Sequence, residues 1–262
     1  MTRWLTRLSF LFFSTCLLIP GARGQGGPPL HTDDPGTPGS GNWEINFGFT
    51  VDRQPHSDAY ETPIVDFNFG AGNRVQLKFE LPYLLVNTDG GPIRSGLGNS
   101  LFGVKWRFYE SKKHGLSIST YPQLEFSNPT ASVRRDLVNG APNFLLPLEV
   151  TKKVGPLYLN GEAGYWFNSY ASDGHILGFA VGHQPTARLE LLGEVYHQEQ
   201  VRGTVRDSTG GIGGRYEFHK RLLLLFMVGR SFHGAASQQS RLIGYLGLQF
   251  QIERAHAVVE RP

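Results

Sequence analysis

From Trp43 onward the chain alternates. Trp43, Ile45, Phe47, Phe49 and Val51 are apolar, and Glu44, Asn46, Gly48, Thr50 and Asp52 between them are small or polar. A period of two marks a β-strand with one face toward an apolar phase and one toward water. The pattern recurs over 65–69, 75–81, 102–108, 116–119 and 123–126. With more noise it returns over 144–150, 157–167, a Gly-rich stretch at 174–183, 189–195, 212–218 and 242–252. The run 222–228 is continuously apolar, and the pattern does not assign its faces. The count is about twelve strands of roughly 10–12 residues, the length a tilted strand needs to cross a bilayer.

The connections carry a second, independent pattern. Short turns are expected at 70–73, 111–115, 152–156, 184–187 and 219–221. Between them fall mostly longer connections at 87–99, 127–140, 199–208 and 233–240, with two shorter ones at 54–58 and 169–173. Aromatic residues gather near the predicted strand ends: Trp43, Phe69, Trp106, Phe108, Phe218 and Phe250 at one end, and Phe126, Phe144, Phe167, Tyr170 and Phe232 at the other. Amphipathic rings favour the headgroup level. Short turns facing longer loops, with two aromatic girdles, predict an all-β fold: a transmembrane up-and-down antiparallel β-barrel of about twelve strands. A soluble β-sandwich also alternates, but requires neither girdles nor strands of such uniform length.

Composition sharpens this picture. Of 262 residues only 18% are charged, while 33 are Gly and 12% are aromatic. The mean hydropathy of −0.25 excludes a bundle of membrane helices. Arg3 and Arg7 precede an apolar stretch over 8–19, and Ala22-Arg23-Gly24 is a small-x-small cleavage site. Residues 1–24 therefore read as a signal peptide, too short in its apolar part to span. Removing it leaves as many basic as acidic residues, 22 of each, so the net charge of +3 gives no case for nucleic acid. Cys16, the only cysteine, leaves with it, and Phe13-Ser14-Thr15 is a poor lipobox. The expected division is a signal peptide at 1–24, a periplasmic Gly/Pro-rich arm at 25–41, an outer-membrane barrel at 42–253 and a periplasmic tail at 254–262. The arm reads as an extended linker before the first strand.

Two stretches carry a family resemblance. Pro29-Leu30-His31-Thr32-Asp33-Asp34-Pro35-Gly36-Thr37-Pro38-Gly39, followed by Gly41-Asn42-Trp43-Glu44-Ile45-Asn46, resembles the start of the barrel family named for the meta-pathway of phenol degradation. Residues Pro185-Thr186-Ala187-Arg188-Leu189-Glu190-Leu191-Leu192-Gly193-Glu194 are similar to a later stretch of it. The resemblance spans most of the mature chain. It implies an outer-membrane transporter associated with aromatic catabolism, and it supplies no catalytic residues.

The charges on the inward phase of the strands are the candidate lumen lining. The acids are Glu44, Asp66, Glu80, Glu125, Glu149, Glu162, Glu190, Glu194 and Glu217; the bases are Lys78, Lys105, Arg107, Arg188 and Arg215. They have two readings: a wet, cation-favouring pore, or a network of Arg–Glu pairs that fills a narrow barrel. Twelve strands lie between filled eight-strand barrels and open sixteen-strand porins, so size does not choose.

His31, Asp33 and Asp34 lack further ligands at metal spacing, and Asp34-Pro35-Gly36 reads as a turn. His197, on the lipid phase near the long loops, is the candidate for catalysis if Ser172 or Ser208 reaches it. Otherwise it is an interfacial histidine. Gly211-Ile212-Gly213-Gly214 starts a strand and is not a phosphate loop; its glycines suggest close backbone approach. The expected function is a passive outer-membrane channel for small molecules, aromatic ones if the resemblance holds. The alternatives are a lipid-directed barrel enzyme and a structural or adhesive barrel with a closed lumen. No cofactor or metal is expected. The partners are outer-membrane lipid, a small solute and the barrel-assembly machinery, and nucleic acid is not among them.

Overall fold

The computed structural model describes residues 27–203, 205–236 and 239–254. The signal peptide and most of the tail lie outside these. Fourteen strand segments follow in order: β1 (Trp43–Arg53), β2 (Ser57–Gly70), β3 (Val75–Thr88), β4 (Arg94–Leu97), β5 (Ser100–Ser111), β6 (Leu116–Thr120), β7 (Gln123–Phe126), β8 (Asn143–Val154), β9 (Leu157–Asn168), β10 (Gly174–Thr186), β11 (Leu189–Gln200), β12 (Arg206–His219), β13 (Leu222–Gly234) and β14 (Leu242–Ile252). Every pairing is antiparallel. β4 and β5 both pair with β3, and β6 and β7 each bridge β5 to β8, so each couple is one interrupted wall strand. The wall therefore has twelve strands. It closes where β1 pairs with β14 from Trp43↔Ile252 to Arg53↔Leu242.

The alternation has the physical meaning the sequence gives it. In β1, Phe47 is 47% exposed and faces outward, while its neighbour Asn46 is 3% exposed and faces the interior. At the rim where β1 begins and β14 ends, here the proximal rim, the turns are 71–74, 112–115, 155–156, 187–188 and 220–221. At the opposite, distal rim the connections include 127–142 and 235–241. Aromatic contacts stand at both levels: Trp43 with Phe69 and Trp106 with Phe108 proximally, Phe144 with Phe167 distally.

The apolar run 222–228 is now assigned. Leu225 and Met227 point inward and are buried, while Val228 is exposed on the outside. The run is apolar on both phases because its inward phase joins an apolar cluster. Met227 packs with Leu30, Ala180 and Leu192, and Ile243 and Tyr245 lie against them. In β12, a side chain at Gly213 would strike the Phe226 carbonyl and one at Gly214 the Glu190 carbonyl, so these glycines mark close backbone approach.

Leu30 comes from the segment expected to be a linker. Residues 27–41 instead run inside the barrel, and Thr32, Asp34, Pro35 and Pro38 are fully buried. The segment is tied to the proximal rim where Gly41 N–H donates to the Gly70 carbonyl at 2.8 Å and Gly70 N–H to the Asn42 carbonyl at 2.9 Å. It has no strand partner. A free linker would leave its backbone to water; this one finds its partners in the barrel wall.

The candidate channel lumen

The interior charges hold the arm by a simple division of labour: acids accept from its N–H groups and bases donate to its carbonyls. On β11, Glu194 accepts from the backbone N–H of Thr32 at 2.6 Å and of His31 at 3.2 Å. On β9, Glu162 accepts from Asp33 N–H at 2.9 Å. On β12, Arg215 donates to the carbonyls of Pro28 at 3.1 Å and Gly27 at 3.4 Å, and pairs with Glu190 at 3.0 Å. On β5, Lys105 Nζ lies 2.6 Å from Asp33 Oδ1 and donates to the Asp34 carbonyl at 2.5 Å. Glu149 stands behind it at 4.0 Å, and the Tyr121 ring lies over it at 4.6 Å. An extended segment without a ladder must satisfy its backbone some other way, and charge-assisted bonds are the strong way. Gly178 on β10 makes the room, since a side chain there would strike Thr32.

A second cluster lines the wall beside the arm. Lys78 lies 2.9 Å from Glu80 and 3.6 Å from Asp66. Asn46 donates to Asp66 at 3.0 Å, and Gln76 to Asn68 at 2.7 Å. Glu44 is buried at the same level. The space left between arm and wall here is about 30 Å³, room for a water or two and not for a solute.

The remaining candidates sit at the rims. Arg107 donates to the Asn73 carbonyl at 2.6 Å at the proximal end, and Glu217 is half-buried near it. Arg188 is exposed in the turn 187–188 rather than lining the lumen, because the inward phase of β11 begins at Glu190. Glu125 accepts from Asn99 at 2.6 Å and Asn143 at 3.3 Å at the distal mouth. One set of inward charges is thus three: arm holders, a wall cluster and rim residues.

Above the arm the lumen opens. A cavity of about 800 Å³ rests on His31 and Asp33. Its lining mixes the acids Asp52, Glu61, Glu80 and Glu162 and the cation Lys78 with the apolar Ile176, Met227, Ile243 and Tyr245. A further space of about 470 Å³ leads to the distal rim past Glu125, Tyr170 and His175. Glu61 escaped the inward set because a register shift in β2, between Glu61 and Ile64, breaks the alternation there. The arm's own role left no local signal, since its partners are distant in sequence, with Glu162 and Glu194 more than a hundred residues away.

His31 forms the floor of that cavity. Its ring stacks on Tyr196 at 5.3 Å, and its Nδ1 lies 3.1 Å from Glu194. Burial pushes its pKa down, but the hydrogen bond and charge of Glu194 outweigh burial, and the net direction is up. Asp34 makes the expected turn, its Oδ1 accepting from Gly36 N–H at 2.6 Å.

His197 lies on the outer face near the distal rim, and Ser208 is the serine that reaches it, with Oγ 2.8 Å from Nδ1. Ser172 does not, since its hydroxyl donates to the Arg202 carbonyl.

The family model for a MetA-pathway of phenol degradation matches residues 32–245. The chain belongs to that family. The match begins at Thr32, so it takes in the arm's buried stretch as well as the wall. Among solved structures, the fold is similar to an outer membrane channel from Pseudomonas putida F1, with a TM-score of 0.60 at 13% identity over 87% of this chain and 99% of that one. It is also similar to the NanC porin, with a TM-score of 0.57 at 8% identity over 81% of this chain and 100% of that one. No curated protein matches the chain in sequence. The fold is that of a closed antiparallel β-barrel, twelve strands around, similar to those of outer-membrane channels.

Proposed function

We propose that the protein is a passive outer-membrane channel for small molecules, with its proximal rim in the periplasm and the arm as its constriction. The observation that carries this is the cavity of about 800 Å³ that opens toward the distal rim and ends on the arm. Its volume suits a small ligand. Its acidic residues favour cations or neutral polar groups, and its apolar residues suit a hydrophobic body. The family's name adds aromatic nutrients as the solute class. Export follows a signal peptide cleaved near Gly24, and assembly uses the barrel-assembly machinery and outer-membrane lipid.

Planar-bilayer recording tests this with the mature protein and a variant lacking residues 25–41. The mature protein is expected to conduct weakly with a cation preference that fades as salt rises. The deletion is expected to conduct several-fold more, and swelling of liposomes in phenol is expected to follow the same order. A folded arm-less barrel that passes neither ions nor phenol would establish the closed, structural reading.

The contact between His197 and Ser208 favours a second reading, a lipid-directed hydrolase. Ser208 is only 8% exposed, which shields its hydroxyl from a substrate. Phospholipid hydrolysis is therefore expected to be at background in wild type and unchanged in Ser208→Ala.

A further inference from the structure

At the distal rim, β10, β11 and β12 gather side chains that take no part in holding the arm. His175 lies directly across from Glu199 in the ladder between β10 and β11. His197, two residues before Glu199, lies across from Ser208 on β12. All are in phase with Leu177, Phe179 and Val195, which are exposed on the outer wall, so the cluster sits where the apolar band ends.

The donor atoms converge. Glu199 Oε2 is 3.6 Å from His175 Nε2 and 3.5 Å from His197 Nε2, and one donor atom of each residue lies within 4.8 Å of the other two. Donors around a tetrahedral zinc, bound at about 2.0–2.1 Å, stand roughly 3.3–3.4 Å apart. Two of the three edges are thus within a few tenths of an ångström of that spacing. The tautomer is provided for as well. When Nδ1–H of His197 donates to Ser208 Oγ at 2.8 Å, Nε2 keeps its lone pair on the side facing Glu199. Two imidazoles and a carboxylate are a zinc ligand set that leaves the fourth position open. Arg206, with Nε 3.8 Å from Glu199 Oε2, is the competing cation.

We propose that His175, His197 and Glu199 bind one zinc ion at the distal rim, with water in the fourth position. The ion clips β10 to β11 beneath the loops at 169–173 and 201–205. It also fixes His175 and Glu199, which line the distal space of about 470 Å³.

The test uses the refolded, tag-free mature protein in detergent. Zinc is titrated in competition with a chromophoric chelator, and cobalt is titrated separately to read its tetrahedral absorption. One ion per barrel and a thermal transition that rises with zinc are expected. Loss of a donor, in His175→Ala or His197→Ala, is expected to weaken binding more than about 100-fold and remove the cobalt band. Ser208→Ala keeps all three donors and loses only the orienting bond, so a loss of about tenfold is expected. Arg206→Ala is expected to tighten binding. Heat-dependent gel mobility shows that each variant is folded. Wild type that takes up no zinc overturns the proposal. So does a folded His175→Ala/His197→Ala double variant that binds as wild type does, because the ion would then sit at another pair such as His56 and Asp89.

Discussion

One side of the lumen, on β2, β3, β5 and β8, meets its interior with Asp66, Lys78, Glu80, Lys105 and Glu149. The other, on β13 and β14, meets it with Leu225, Met227, Ile243 and Tyr245. Both sides enclose the same arm. The charged side holds it through directional bonds to its backbone and Asp33; the apolar side holds it through Leu30. The comparison shows that an inward face of a barrel is not necessarily a wet face. Where the arm fills the interior, the inward phase is chosen by packing and pairing, and it becomes apolar or ionic according to what the arm presents.

The largest expected effect breaks the charged side. Lys105→Met strands Glu149, which is fully buried, and Asp33 without their cation. Leaving a buried charge uncompensated costs about 3–5 kcal/mol. Urea unfolding of the liposome-inserted barrel is expected to show this loss, and conductance is expected to rise as the arm is released. A loss under about 1 kcal/mol would mean that the charged side is hydrated like an exposed pair.

A smaller effect is expected on the apolar side. Met227→Ala removes packing against Leu30 and Leu192. Such truncations cost about 2–5 kcal/mol, and the low end applies because Met227 also borders the large cavity, so part of its surface has little to lose. The same unfolding assay checks it. If Met227→Ala proves the costlier change, the arm is held chiefly by apolar contact.

The subtlest effect is on pH. His31 is 43% exposed to the cavity, and its pKa in the folded protein lies above the ordinary 6.5. A histidine raised in this way contributes fully below its ordinary pKa and loses its contribution as pH rises through the raised value. Its acidic neighbours are Glu194, Asp52 and Glu61. The arm is therefore held more tightly in acid, and conductance is expected to be lower near about pH 5.5 than near about pH 8, the range over which a histidine switches. His31→Gln is expected to flatten that difference. An unchanged pH profile in the variant would assign the effect to the carboxylates.

The wall was legible because period two survives any interior: Phe47 faces out and Asn46 in, whatever fills the lumen. Turns were legible because glycine and polar clusters interrupt that period. The interior was less so. Met227 broke the alternation because it packs with Leu30, an apolar residue at the far end of the chain. Asp33 and His31 read as linker residues because nothing near them in sequence announces Lys105 or Glu194. The Ser208–His197 contact depended on the register between β11 and β12, which no single-strand pattern contains.

The arm's contacts also set an order of assembly. Its partners include Glu162, Glu194 and Arg215, at sequence separations of 129, 163 and 187. Contacts so distant come late, because long loops must close first. The arm runs directly into β1, the strand that seals the wall against β14. Sealing the seam and filling the interior are thus neighbouring, terminal events. The arm, made first, is fully held only once β9, β11 and β12 bring Glu162, Glu194 and Arg215 to it.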